Sequence, residues 1–331
     1  MRKKPKILII STGGTISSKY IKGKGYSPVL TIQDIISNCN ELKEIVEIET
    51  LQFCNILSFC LSPNDIFELI GVARKTAKEQ NISGVVITIG TAAIEEASYL
   101  ADLLWKSDAP LIFTGAMQNA SEREWDGPRN VFHSILVAMS QEARGKGVLV
   151  CIAGEIHAAR DVIKIHKTSL NAFVSLNNGP LGFVLNNNKV VFYRIPIFRK
   201  TFEIKYLETD VGIIKIGLGT SSKIVDLLIS NNTKAIVLEA FPGGGGVTPD
   251  IMKSIEKAKE KDTVFVLTPR SPMGSVISKA DGGCGPSDLF KAGVINGGDL
   301  ISVKARVLLM VILPIVRNKN EIKEIIYNLA P

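Results

Sequence analysis

Four hydroxyl side chains crowd into the seven residues Ser11-Thr12-Gly13-Gly14-Thr15-Ile16-Ser17, directly after an apolar run. The paired glycines permit a tight turn and let a ligand come close to the backbone. Three readings fit this loop: a phosphate cradle, a plain strand-to-helix turn, and a threonine nucleophile at the mouth of a site. The first is weakened because the loop has neither the P-loop spacing nor GxGxxG. A hydroxyl is a poor nucleophile at its own pKa, so the third needs a proton acceptor that is kept deprotonated. Thr91 ends the run Gly84 to Gly90, and Lys164 follows Arg160-Asp161-Val162-Ile163. A lysine drawn into a desolvated site loses proton affinity and can accept a proton, so a Thr-Lys pair is chemically sensible. Taken singly, the two also read as a capping threonine and a surface lysine.

The elements that must position these residues are short Val- and Ile-rich runs at Lys6 to Ser11, Gly84 to Thr88, Leu111 to Thr114 and Val148 to Ile152, with helical patterns between them. Such alternation predicts parallel strands covered by helices. Ala92 to Trp105 supplies one helix, with Glu95 and Glu96 in its first turn, where acidic residues suit the positive helix end. Val190 to Ile197 is strand-like. Beyond Thr209 the alternation resumes, with strands at Val211 to Ile216, Ala235 to Leu238 and Thr263 to Leu267. Helices are expected at Ser222 to Ile229, Pro249 to Lys261 and Ser302 to Val316. The predicted fold is α/β in two domains. A larger parallel-sheet catalytic domain covers 1–190, a linker 191–210 and a smaller α/β domain 211–331, with the ligand in a crevice at the carboxyl ends of the strands.

Composition narrows the class. The 331 residues are 46% hydrophobic and 21% charged, values of an ordinary globular protein. The longest apolar stretch, Val307 to Val316, is far short of the roughly 20 residues needed to cross a bilayer. No secretory signal follows the basic start, so a cytoplasmic location without membrane contact is expected. The excess of 39 Lys+Arg over 32 Asp+Glu is dispersed. Clusters at Arg2 to Lys4, at Lys22 and Lys24 and at Lys257 to Lys261 read as solvated faces, not a nucleic-acid surface. The five cysteines, Cys39, Cys54, Cys60, Cys151 and Cys284, contain no CxxC pair and read as reduced thiols, with a catalytic cysteine the minor alternative. No cofactor or metal is implied.

Taken together, the motifs resemble a known family. TGGTI after the first strand is followed by Gly84-Val-Val-Ile-Thr-Ile-Gly-Thr91 with Glu95-Glu96. Then come Thr114-Gly115-Ala116-Met117, Asp126-Gly127-Pro128-Arg129-Asn130, Gly154-Glu155-Ile156-His157, Ala159-Arg160-Asp161-Val162-x-Lys164, Gly179-Pro180-Leu181-Gly182 and Lys304-Ala305-Arg306. In this order they are similar to the bacterial-type L-asparaginase (asparaginase/glutaminase) family. The resemblance implies an amidohydrolase that attacks a carboxamide through a threonine and releases ammonia. It implies Thr15 as nucleophile, Tyr26 on a mobile loop as its assistant, and Thr91 and Lys164 as two members of a second Thr-Lys-Asp set. It also implies Ser58 as the serine that binds the substrate carboxylate, with Gly14, Gly90, Ala92 and Ala116 lining the substrate. Family members are usually homotetramers built from close dimers, so a homo-oligomer, dimer or tetramer, is expected, with Asp281 or Asp288 in Ser278 to Leu289 reaching a neighbour's site.

The chain departs from the pattern where the family writes GTDT. That aspartate holds the lysine and pairs with the substrate's α-ammonium, whereas this chain has Gly90-Thr91-Ala92-Ala93. A usual histidine is Ile89, a usual aspartate is Leu57, and a usual asparagine is replaced within Gly243 to Gly246. Each change is expected to remove polarity from the substrate pocket. Losing one partner of a buried ion pair costs roughly 3 to 5 kcal/mol, so the small-molecule substrate is expected to be a carboxamide or N-acyl amide other than free L-asparagine. The competing readings are an ordinary L-asparaginase/glutaminase and a catalytically silent ligand-binding homologue.

Overall fold

The computed structural model describes residues 4–37, 41–259, 261–277, 281–316 and 318–330; Arg2, Lys3, Cys39 and Ser278 lie outside the described residues. It divides into two compact units, Met1–Thr201 and Phe202–Pro331. The segment 191–210, expected as a linker, opens inside a sheet strand, and the division falls within it.

The first unit starts with β1 (Lys6–Gly13), the hairpin β2 (Ser18–Ile21) and β3 (Gly25–Pro28), then α1 (Ile32–Ile36), α2 (Leu42–Ile45) and β4 (Glu47–Ile56). It continues through α3 (Pro63–Glu79), β5 (Gly84–Thr88), α4 (Ile94–Leu104), β6 (Leu111–Thr114), α5 (Gly127–Met139), β7 (Val148–Ile152) and β8 (Glu155–Ala158). A two-residue ribbon, β9 (Ile163–Lys164) with β10 (Phe173–Val174), precedes β11 (Gly182–Val184) and β12 (Val190–Phe192). Eight of these strands form one sheet, in the order β12-β11-β8-β7-β6-β5-β1-β4.

The five strands from β7 to β4 are mutually parallel. Their apolar runs are buried on both faces, as parallel strands under helices must be. Ile7, Ile9, Val86, Ile112 and Leu149 pack with Ile32 and Ile35 of α1 and Val131 and Ile135 of α5. The alternate residues Leu8, Ile10, Val85 and Ile87 are equally buried and turn to the opposite face, which α3 and α4 cover. The expectation of a wholly parallel sheet needs one addition. β8, β11 and β12 extend it antiparallel, because the turn Ala153-Gly154 has φ of 51° and 83° at its two central positions, the geometry that folds β7 straight back into β8.

β1 is the switch point of the sheet: β4 lies on one flank and β5 on the other. Strand-end loops diverge there, which is where open α/β sheets bind ligands. The ten-residue β4 forms one edge of the sheet, and its Glu49 and Glu47 meet Lys6 of β1 at 2.8 and 3.8 Å.

In the second unit β13 (Val211–Lys215), α6 (Lys223–Ser230), β14 (Ala235–Ala240), α7 (Pro249–Lys257), β15 (Val264–Pro269), α8 (Pro286–Lys291) and β16 (Ile295–Asn296) are followed by α9 (Ser302–Ile312) and α10 (Lys319–Leu329). The four strands form a parallel sheet in sequence order. Ile214, Ile236, Leu238 and Leu267 form its core with Ile251 and Ile255 of α7. Among the described residues no helix is long and apolar enough to cross a membrane, and Cys54, Cys60, Cys151 and Cys284 are free thiols.

Candidate active site

The first unit brings the loops after β1, β4 and β5 together at the switch point. β1 ends in Gly13 and Gly14, both left-handed at φ 99° and 83°. Only glycine fits Gly14, since a β-carbon there would lie 2.5 Å from the Gly90 nitrogen. The Gly14 N–H donates to Ile56 O at 2.9 Å, so it is spent on β4. The chain then makes a single 3-10 turn, Thr15–Ser17. Without a free backbone donor at Gly14 or a full helix behind it, the loop is not a phosphate cradle.

The two threonines of this loop differ. Thr12 is buried and its Oγ1 donates to Thr88 O at 3.1 Å, so it belongs to the sheet. Thr15 is half-buried, and its hydroxyl makes no hydrogen bond to the described chain. Ser58, in the 3-10 turn Ser58–Cys60 after β4, is buried against Gly90, where a β-carbon would lie 2.8 Å from the Ser58 Cβ. Gly14 and Gly90 therefore meet backbone to backbone, the Ser58 side chain packs on Gly90, and Thr15 follows Gly14 directly in the chain.

Thr91 and Lys164 meet as well. Lys164 Nζ lies 2.8 Å from Thr91 Oγ1, and Thr91 is only 7% exposed. Lys164 is carried by the β9–β10 ribbon opposite Phe173, whose ring centroid is 5.8 Å from Nζ. Its backbone N–H donates to Glu95 Oε2 at 2.9 Å, from the first turn of α4. Burial holds the Lys164 ammonium below the usual lysine range, and the Glu95 carboxylate opposes that shift. Ala92 is exposed at the turn between Thr91 and α4, with no group to offer a cation.

Some expected residues stand elsewhere. Tyr26 lies on β3, paired across the hairpin with Tyr20, and not on a loop. Its hydroxyl donates to Glu122 Oε1 at 3.2 Å and not to Thr15; the residue is 54% exposed, and the Glu122 charge raises its pKa. Ala116 buries its side chain in the core with α1 and α5, so only its backbone is available to a ligand. Ile89 is likewise fully buried, so the polarity lost there is lost from the core and not from an open pocket. In the second unit Asp288 Oδ2 accepts the Gly285 N–H and caps α8, while Asp281 lies 3.4 Å from Lys291 Nζ.

The residues that hold the loop after β6 carried a signal that spacing alone could have supplied. Asp126 accepts the backbone N–H groups of Met117 and Gln118 at 3.1 and 2.9 Å. Asn130, four residues on and so on the same helical face, donates to Gly115 O at 3.0 Å and accepts the Ala153 N–H at 3.0 Å. The pair in Asp126-Gly127-Pro128-Arg129-Asn130 thus clamps Gly115, which packs on Thr91.

The first unit is thus a mostly parallel α/β domain that gathers hydroxyls and a partly buried lysine beyond the carboxyl ends of its strands. Two family models match the chain, "Asparaginase, N-terminal" over residues 6–198 and "Glutaminase/Asparaginase C-terminal domain" over residues 210–326. The chain belongs to the asparaginase family, hydrolases of C–N amide bonds. It is similar to "Probable L-asparaginase periplasmic" of Haemophilus influenzae, 33% identical over 323 residues, with 93% of this chain and 88% of the relative covered. L-asparaginase 2 of Escherichia coli is 30% identical over 336 residues, covering 97% and 92%. The crystal structure of a probable cytoplasmic L-asparaginase from Campylobacter jejuni matches with a TM-score of 0.87 at 30% identity, over 98% of this chain and 99% of that one.

Proposed function

We propose that this chain hydrolyses a small carboxamide with Thr15 as nucleophile and the Thr91–Lys164 pair as proton acceptor. The observation that carries the reading is the 2.8 Å contact between Lys164 Nζ and Thr91 Oγ1 at a site whose burial favours the neutral amine. The Thr15 oxygen adds to the amide carbon and its proton is taken up through the pair. The C–N bond then breaks, and the nitrogen leaves as ammonia with that proton. Water cleaves the resulting ester, releasing the acid and restoring the Thr15 hydroxyl. Ser58, whose hydroxyl is likewise unengaged by the described chain, binds the substrate carboxylate. The close contact of Gly14 with Gly90 sets the floor of the substrate site, the exposed Ala92 lies at its rim, and Ala116 contributes backbone only. Tyr26 assists by leaving Glu122 when substrate binds.

The names of the relatives support a side-chain amide of the asparagine or glutamine type. Ala92 favours, within that class, an amide whose α-position carries no free ammonium, such as an N-acyl asparagine or succinamate. Similarity to a protein named as cytoplasmic supports a cytosolic site of action. The working form is a homo-oligomer, a dimer or tetramer.

Ammonia release from L-asparagine, L-glutamine, N-acetyl-L-asparagine and succinamate tests the reading. Wild-type protein releases ammonia from at least one, and Thr15→Ala and Lys164→Met do not. Full activity in either variant overturns the assigned role, and no release from any amide leaves the ligand-binding homologue.

A further inference from the structure

Lys164 is held at two points, and both partners lie on one short stretch of chain. Thr91 Oγ1 meets its Nζ, and Glu95 Oε2 accepts its backbone N–H. Between them stands Ala92, at the position where the family pattern places the aspartate that holds the lysine. We propose that Glu95 is the positioning carboxylate for Lys164 in this chain, doing from the first turn of α4 the work for which Ala92 has no group. The inference rests on the proposed role of Lys164 and names the residue that sets it.

The local structure makes the tether consequential. β9 is two residues long and, among the described residues, pairs with the equally short β10 alone. Such a ribbon is a weak support for a side chain that must hold one geometry. The Lys164 N–H faces away from β10 and finds its acceptor in Glu95. The carboxylate therefore joins the ribbon to α4, a helix whose face is buried from Ile94 to Leu104. Thr91 lies in the turn three residues before that helix, so both anchors of Lys164 fall within the five residues Thr91 to Glu95.

Charge acts along the same contact. From α4 the acidic group that reaches the lysine is Glu95; from β10 the facing group is the uncharged Phe173 ring. In the segments flanking β9, Arg160 and Asp161 pair with each other at 2.7 Å, and His166 Nδ1 accepts the backbone N–H groups of Thr168 and Ser169. Glu95 is the carboxylate that offsets desolvation at Nζ. It keeps Lys164 able to hold the proton it receives while burial keeps it able to give that proton up.

The test is the pH dependence of Lys164 acylation by trace acetic anhydride in the full-length protein, read on the peptide that carries Lys164. Only the neutral amine reacts, so the labelling midpoint reports its proton affinity without any substrate. Glu95→Gln keeps an acceptor for the N–H but removes the charge, and its midpoint moves to lower pH, with labelling below the midpoint raised several-fold. The acid limb of kcat/KM moves the same way. Glu95→Ala shows the same shift and also loses kcat, because the tether is gone. Ala92→Asp combined with Glu95→Gln brings the midpoint back up. An unchanged midpoint in Glu95→Gln overturns the proposal, even where Lys164→Met has abolished ammonia release. Full ammonia release by Lys164→Met would instead overturn the parent reading, while the labelling still decides on Glu95.

Discussion

Gly14 and Gly90 meet backbone to backbone, at a distance that excludes any side chain between the ends of β1 and β5. Gly14→Ala would place a methyl 2.5 Å from the Gly90 nitrogen at a left-handed φ of 83°. Strain of this kind costs about 1 to 3 kcal/mol before the clash is counted. The variant is expected to lose that much stability in urea denaturation and to lose ammonia release with it. Gly23→Ala is the control. It shares the conformation, at φ 84°, but nothing lies within 4 Å, so activity should persist.

Thr12 and Thr15 should separate stability from catalysis. Thr12→Val removes the buried bond to Thr88 O and is expected to cost about 1 kcal/mol, with activity lowered only modestly. Thr15→Ala removes a hydroxyl that bonds to nothing in the described chain, so its melting temperature should match wild type while turnover falls by about three orders of magnitude or more. Calorimetry and ammonia assays on the two variants check this; the opposite pattern would assign the nucleophile to Thr12.

His133 provides a pH dependence of known sign. Burial and the neighbouring Arg129 push it from 6.5 down to about 4, so the folded chain holds it neutral. The unfolded chain binds the extra proton between those values, and stability must fall as pH drops from about 6.5 to about 4. At about 1.4 kcal/mol per unit the loss is on the order of 3 kcal/mol. Urea denaturation across this range should show a shallower decline in His133→Leu than in wild type.

Ala92→Asp tests specificity. An added carboxylate helps an ammonium-bearing amide and penalises an uncharged one, which leaves the new charge unpaired. The ratio of kcat/KM for L-asparagine to that for succinamate should rise by at least about tenfold, the equivalent of 1.4 kcal/mol. An unchanged ratio would show that position 92 does not face the substrate's α-carbon.

The central strands were legible because burial on both faces writes itself as unbroken Val/Ile runs; Gly84 to Thr88 and Leu111 to Thr114 match β5 and β6. Others were not. β4 is half-exposed and reads Glu-Ile-Glu-Thr-Leu-Gln, so no apolar run marks it, although the alternation is that of an edge strand. α3 announces itself only in the Ser62-Pro63-Asn64-Asp65 capping box at its start. The predicted strand to Ile197 stops at Phe192, with Pro196 unable to extend a ladder. At the site, motif order located Thr91 and Lys164 and their contact. It could not reveal that Tyr26 spends its hydroxyl on Glu122, nor that Ala116 turns inward, because both depend on residues distant in sequence.

β4 has a final consequence, for how the chain behaves in concentrated solution. A ten-residue strand at the rim of a sheet is a template on which another molecule's strand can polymerise. Glu47 and Glu49 place a repeating negative charge along that rim, and Lys6 neutralises it only from within the sheet. Two such rims brought together would oppose like charges, so the sheet carries its own guard against fibre formation. That guard is electrostatic, and it weakens in strong salt, where the same rim becomes adhesive.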